Sequence, residues 1–190
     1  MFNKKDSVKL ELNYRGFDRI EGSDFLVCPL SNQEKAFKGI KFVTFNYLFL
    51  NIQDFSTHWL FPTNNQIINT LYQIPLENSQ NIGKNQYHEK HPPFYDGNLY
   101  SEEIIQTGWL LFVFTKTEMS QDRKIIALSD VSGGNLVEII NDVDFIYDKV
   151  RVNKDSLILM YHSSEKNLVS EIKLSEKRIL KTKELPKVNE

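Results

Sequence analysis

From Gly108 to Leu185 the chain is written as short runs in which apolar residues alternate with polar ones: "GWLLFVFTKT", "KIIALSDV", "NLVEII", "FIYDKVRVN", "DSLILMY", "NLVSEIKL" and "RILKTKEL". Turn-forming stretches such as "MSQDR", "SGG", "NKD", "HSSEK" and "SEK" separate most of them. A period of two places successive side chains on opposite faces of a strand, and turns this short join only antiparallel neighbours. The spacing therefore predicts seven consecutive antiparallel strands, the last four forming one sheet. Such a sheet has two faces to cover and two edges to blunt, so it must stack on another.

The first half of the chain is less regular. "VKLELNY" alternates Val8, Leu10 and Leu12 against Lys9, Glu11 and Asn13 as a strand would, and "DFLVCPL" is a second strand that Pro29 closes. "FVTFNYLFL" is dense in Phe, Val and Thr and suits a strand buried on both faces. One or two short helices are expected. One is "NQEKAFKGI", which ends at Gly39; the other is "NNQIINTLYQI", where Ile67, Ile68, Leu71 and Ile74 have helical spacing, with a strand as the alternative. Residues 75–100 hold no period and concentrate Asn, Gly and Pro, which predicts a loop or insertion suited to binding. The leading core residues are Trp59, Trp109, Phe112, Phe114, Ile126, Leu128, Leu157, Leu159 and Ile172. With 190 residues, the chain is expected to form a single domain over 1–190 with flexible ends at 1–7 and 186–190.

"DFSTHWL", "DVSGGNL" and "KLSEKRI" share a spacing in which an apolar residue and a Ser are followed, four positions after the Ser, by Leu or Ile. The interval from Ser132 to Ser175 is about 43 residues, the length of a four-stranded propeller blade. Residues 144–185, and residues 109–140 in part, resemble a blade of a bacterial β-propeller of the TolB-like or WD40-like kind. The Gly-His and Trp-Asp signatures of WD40 blades are absent, so the resemblance implies a fold and transfers no functional residue. It implies an all-β, mainly antiparallel architecture of propeller-like blades or stacked meanders. Propellers close with roughly four to eight blades, and this chain supplies at most about four.

Composition narrows the functional classes. Aromatics at 12% favour sheet surfaces, and a formal charge of −2 leaves no basic footprint for duplex nucleic acid. The Lys residues of "KRILKTKELPK" alternate with apolar ones, as on a solvated strand face. No run approaches the roughly 18 apolar residues of a membrane-spanning helix, because Lys41, Asn46 and Asn51 interrupt the most apolar segment. No secretory h-region follows Met1, so the chain is expected to be cytoplasmic if Met1 is the native start, and exported or lipid-anchored if a signal has been trimmed ahead of it. Cys28, the single cysteine, lies between apolar neighbours and reads as a buried structural thiol.

Candidate chemistry centres on "YHEKHPPFYDG". His88, His91 and Asp96 form a possible metal-ligand set, although the two histidines do not have the spacing of the HExxH helix and Pro92 favours an extended His91. "NDVDFIYD" clusters Asp142, Asp144 and Asp148 without EF-hand spacing, which fits turn carboxylates. "SDVSGGNL" has adjacent glycines but no phosphate-loop pattern, and reads as a tight hairpin. No nucleophile elbow occurs. The expectation is a non-catalytic binding or protein-interaction module that needs no cofactor and engages a protein partner or a second copy of itself. The alternative is a metal-dependent hydrolase built on the His88/His91 loop.

Overall fold

A computed structural model of the chain describes residues 11–36, 39–76, 106–118 and 123–186. Thirteen strands and no helix occupy the described residues. They form three successive antiparallel meanders. The first comprises β1 (Asn13–Tyr14), β2 (Asp18–Arg19), β3 (Phe25–Ala36), β4 (Gly39–Asn51) and β5 (Thr57–Trp59), with β1 and β2 lining one edge of β3 and β5 pairing with β4. The middle meander runs β6 (Gln66–Pro75), β7 (Thr107–Lys116), β8 (Lys124–Asp130) and β9 (Val137–Val143), and the last runs β10 (Phe145–Asn153), β11 (Ser156–Ser163), β12 (Lys166–Lys173) and β13 (Arg178–Glu184). Among the described residues a single opposed pair, Thr44 with Ile68, joins β4 to β6. The first two meanders therefore form one nine-stranded sheet, and the last a separate four-stranded one.

Sequence alternation explains how these sheets stack. On β7, Leu110, Phe112 and Phe114 point into a core shared with Val27 and Phe49 of the first meander, whereas Leu111 and Val113 point the other way, onto Leu157, Leu159 and Ile172 of the last. The middle meander is thus buried on both faces, and all five of those β7 residues are at most 4% exposed. Two-sided burial is why its strands read as near-continuous apolar runs. The fold is all-β and antiparallel, with each meander resembling a propeller blade. The three Ser positions of the shared spacing fall near the last hairpin of each unit: Ser56 between β4 and β5, Ser132 between β8 and β9, and Ser175 between β12 and β13.

Neither expected helix forms. "NQEKAFKGI" supplies the end of β3 and the start of β4, with Gln33 opposite Phe42, Glu34 opposite Lys41 and Lys35 opposite Ile40. The segment has no apolar stripe to bury as a helix, and Gly39, at φ +128°, begins the return strand instead of capping a helix. "NNQIINTLYQI" is the strand alternative, β6. A bulge between Ile68 and Thr70 shifts its register, so Ile68 and Leu71 face the first meander while Tyr72 and Ile74 face the last. Apolar side chains needed on both faces of a bulged strand mimic helical spacing.

Of the expected core residues, Phe112 and Phe114 are buried in the core facing the first meander and Ile126, Leu128, Leu157, Leu159 and Ile172 in the core facing the last, against which Trp109 packs partly buried. Trp59 is not a core residue. It lies on the short strand β5 opposite Leu48, on the face of the first meander turned away from the middle sheet, where it is 40% exposed and stacks on Tyr14. Cys28 is buried, as expected.

Polar clasps tie the layers together at their turns. Lys177, in the β12–β13 turn, donates to Asp130 Oδ1 at 2.5 Å and to the Asn135 carbonyl at 3.0 Å, which joins the last meander to the β8–β9 turn. Burial alone would raise the Asp130 carboxyl, but hydrogen bonds from Lys177 and Asn135 and the Lys177 charge hold it below its ordinary value of 3.8. A depressed carboxylate contributes stability above its unfolded-state value and loses it as pH falls through the folded-state one. Asp130→Asn should therefore cost no more than about 1 kcal/mol at neutral pH, because Asp130 is partly solvated. The difference in melting temperature between this variant and the parent should shrink toward zero as pH drops below 3.8. A difference that grows in acid would contradict the assigned pairing.

Candidate functional site

The last meander covers one face and exposes the other. Its inner face carries Leu157, Leu159, Tyr161 and Ile172 into the shared core. On the outer face, register places Phe145 opposite His162, Asp148 opposite Met160 and Val150 opposite Ile158, and beyond them Glu171 opposite Ile158 and Lys183 opposite Val169, so its apolar side chains gather at β10 and its charges at β12 and β13. Strand β10 is the free edge of this sheet, and Phe145, Tyr147, Val150 and Val152 along it are 45%, 45%, 50% and 53% exposed. The opposite edge is different in kind. β13 is almost wholly exposed and polar, with Lys181 paired to Glu171 and Lys166 to Glu184. Charged edges suppress edge-to-edge pairing.

Two bulges blunt the backbone of β10, one around Tyr147 and one around Val152. They break the even ladder that a docking peptide strand would need, and they turn extra side chains outward. Recognition along this edge therefore falls to side chains.

The start of β10 is held rigidly. Asp144 accepts a hydrogen bond at 2.7 Å through Oδ2 from Nδ1 of His162, its Oδ1 lies 3.2 Å from Arg123 Nη1, and its carbonyl receives the Lys124 ammonium. Arg123 also reaches Asp142 at 3.2 Å. The imidazole so oriented lies flat beneath the Phe145 ring, with 5.0 Å between centroids and 2° between planes, and Tyr147 meets the same ring edge-on at 4.8 Å. Among the described residues, His162 and Asp144 form an imidazole–carboxylate pair. The nearby hydroxyls of Ser163 and Ser164 donate to the carbonyl and carboxylate of Asp142, at 2.7 and 3.3 Å. Asp148 accepts from the Lys149 backbone N–H. The three aspartates of "NDVDFIYD" serve turns and ion pairs.

At the other end of β10 lies a shallow hollow, open to solvent, walled by Tyr72, Ile74, Pro75, Lys149, Arg151 and Leu157. The Lys149 ammonium sits 3.6 Å above the Tyr72 ring, and the Arg151 guanidinium sits 5.2 Å from Trp109. Arg151 donates to the carbonyls of Leu76, Asn153 and Lys154, while its buried Nη1 has no hydrogen-bond partner among the described residues. Burial pushes this guanidinium down, and the Asp155 charge opposes the shift. The two cations lie over aromatic rings at the rim of the core shared by the middle and last meanders, where their apolar stems cover it.

His88, His91 and Asp96 lie outside the described residues, as does nearly all of the expected 75–100 loop. Among the described residues no group of three His, Cys, Asp or Glu side chains is placed to hold a metal ion, and no helix is long and apolar enough to cross a membrane. The exposed row on β10 was legible in sequence only as a strand. Its one local signal is "FIYDKVRV", where alternation fails twice, at the two bulges.

No family model and no curated protein matches the chain. A solved structure, the β-propeller domain of the Trilobed protease from Pyrococcus furiosus, described as having an open velcro topology, is similar at 9% identity with a TM-score of 0.47. The match covers 92% of this chain and 43% of that one, so the chain spans less than half the length of the structure it resembles. The blade-like character of the present sheets rests on their own strand order and stacking.

Proposed function

We propose that this chain is a non-catalytic protein-interaction module that presents the β10 edge of its last meander to another protein. The observation that carries this reading is the row of exposed Phe145, Tyr147, Val150 and Val152 on a bulged free edge. The same sheet ends in a charged, exposed strand on its other side. Large exposed apolar side chains gathered along one edge mark contact sites, and rigid aromatic side chains contribute much of the binding energy at such sites. The His162–Asp144–Arg123 clamp supports the reading because it orders Phe145 before any partner arrives, which lowers the entropy lost on binding.

Val150→Glu tests it. The position is half exposed, so the melting temperature should move by no more than about 2 °C, in keeping with an effect within about 0.5 kcal/mol at a surface site. Recovery of a cross-linked protein partner from the source cell should fall at least about tenfold, the effect of placing an unpaired charge in an apolar contact. Undiminished recovery with unchanged stability would show that this face is not the contact surface.

A further inference from the structure

The bulges of β10 leave one regular stretch between them. Asp148, Lys149, Val150 and Arg151 keep an unbroken register with Met160, Leu159, Ile158 and Leu157. A ladder of that length is enough to hold a strand in this fold, since β5 is attached to β4 through three opposed pairs. Among the described residues no strand lies on the far side of β10. The strand also carries Phe145, Tyr147, Val150 and Val152, residues of the aromatic and β-branched kind that favours pairing. An open edge of this composition is a template for another chain.

Register puts two charges on the inward side of that stretch. Lys149 lies opposite Leu159 and Arg151 opposite Leu157, and both leucines point into the core shared by the middle and last meanders. Ile146, also inward, packs against this core, whereas a lysine or arginine can lend it only an apolar stem. The ammonium crosses the rim over Tyr72 and the guanidinium beside Trp109, and both residues line the hollow that opens to solvent beside the edge. A strand added to β10 would close that hollow and shut both cations beneath its own side chains. Arg151 is poorly placed to absorb the loss of water: Nε and Nη2 are committed to the carbonyls of Asn153, Leu76 and Lys154, and the buried Nη1 has no hydrogen-bond partner among the described residues.

We propose that Lys149 and Arg151 guard β10, two charges on the inward face of a free edge that keep any further strand from adding to it, whether from a second copy of this chain or from another protein. Pairing at such an edge would strip water from both charges and supply no counter-charge in return. The two bulges interrupt the ladder at its ends, and the two cations protect the stretch that the bulges leave even. This proposal stands on strand geometry and is independent of the interaction reading above. For that reading it leaves side-chain contact as the way in which β10 is engaged.

Lys149→Val/Arg151→Val removes both charges and keeps the strand preference. In sedimentation equilibrium of residues 1–190 from about 1 to 100 µM, the double variant should self-associate at least about tenfold more tightly than the parent. Amide exchange in the associated state should slow along β10 and keep the parent's rates along the charged edge β13. Lys149→Arg/Arg151→Lys, which exchanges the two cations without removing either, should sediment as the parent does. If loss of the Arg151 hydrogen bonds unfolds the double variant by circular dichroism, Lys149→Val alone leaves those bonds in place and carries the test with the same two measurements.

Association no tighter than the parent's overturns the proposal, as does protection that falls on a strand other than β10. A parent whose own β10 amides slow as its concentration rises overturns it too, because the edge would then be pairing with both charges present. If the double variant gains no association while Val150→Glu still loses a protein partner, the guard fails and the interaction reading stands. If the double variant pairs through β10 while Val150→Glu loses nothing, the guard stands and the interaction reading fails.

Discussion

Gly133→Ala is expected to destabilise the protein by about 3–5 kcal/mol, combining left-handed backbone strain with overpacking of a buried ring. Gly133 lies in the β8–β9 turn at φ +80°, a conformation that side-chain-bearing residues rarely adopt. A methyl group there would come within 2.4 to 2.6 Å of the Phe49 ring, which is fully buried in the core between the first and middle meanders. The ring is packed on all sides and has nowhere to retreat. The neighbouring Gly134→Ala is the control: its added methyl meets only the Ser132 hydroxyl, at 3.1 Å, and should cost well under half as much. Chemical denaturation of the pair separates the two. Equal destabilisation would mean that the turn does not dock on Phe49.

Phe112→Ala should cost about 3–5 kcal/mol and Leu111→Ala about 2–5 kcal/mol, the range for truncating buried side chains into cavities. The two losses should differ in where they act. Phe112 is fully buried on the face of β7 that meets the first meander, with Tyr47 tilted against it at 6.1 Å, whereas Leu111 is fully buried on the face that meets the last meander. Amide exchange should accordingly accelerate most in β3 and β4 for Phe112→Ala, and in β11 and β12 for Leu111→Ala, because local opening follows the interface that has been loosened. Acceleration in the same strands for both variants would contradict a middle sheet that serves two separate cores.

Much of the strand order was legible in the sequence because alternation and turn chemistry are local. The seven runs after Gly108 became β7 to β13, and the adjacent glycines of "SDVSGGNL" became a hairpin turn. Asn46 shows where local reading stops. Within "FVTFNYLFL" it looks like an interruption, yet it is only 2% exposed. Its amide donates to the carbonyl of Phe61 at 2.9 Å and to Oδ1 of Asn64 at 2.9 Å, and its Oδ1 accepts from the N–H groups of Tyr47 and Phe61 at 2.9 and 3.1 Å, pinning the segment that leads into β6. A polar residue inside an apolar strand was the signal, but its distant partners, Phe61 and Asn64, are 15 and 18 residues away and no spacing announces them.

Taken alone, the amino-acid order determined that the described chain is antiparallel sheet, since a period of two, frequent aromatics and short polar turns leave few other ways to satisfy the backbone. Tertiary packing decided which neighbour each face meets. It put Trp59 on an averted surface and Phe112 in a core, it chose strand over helix for "NQEKAFKGI" and "NNQIINTLYQI", and it left β10 with its aromatic side chains in solvent. The reason is that an apolar residue on a strand specifies only that its face wants cover. What supplies that cover depends on contacts between residues far apart in the chain.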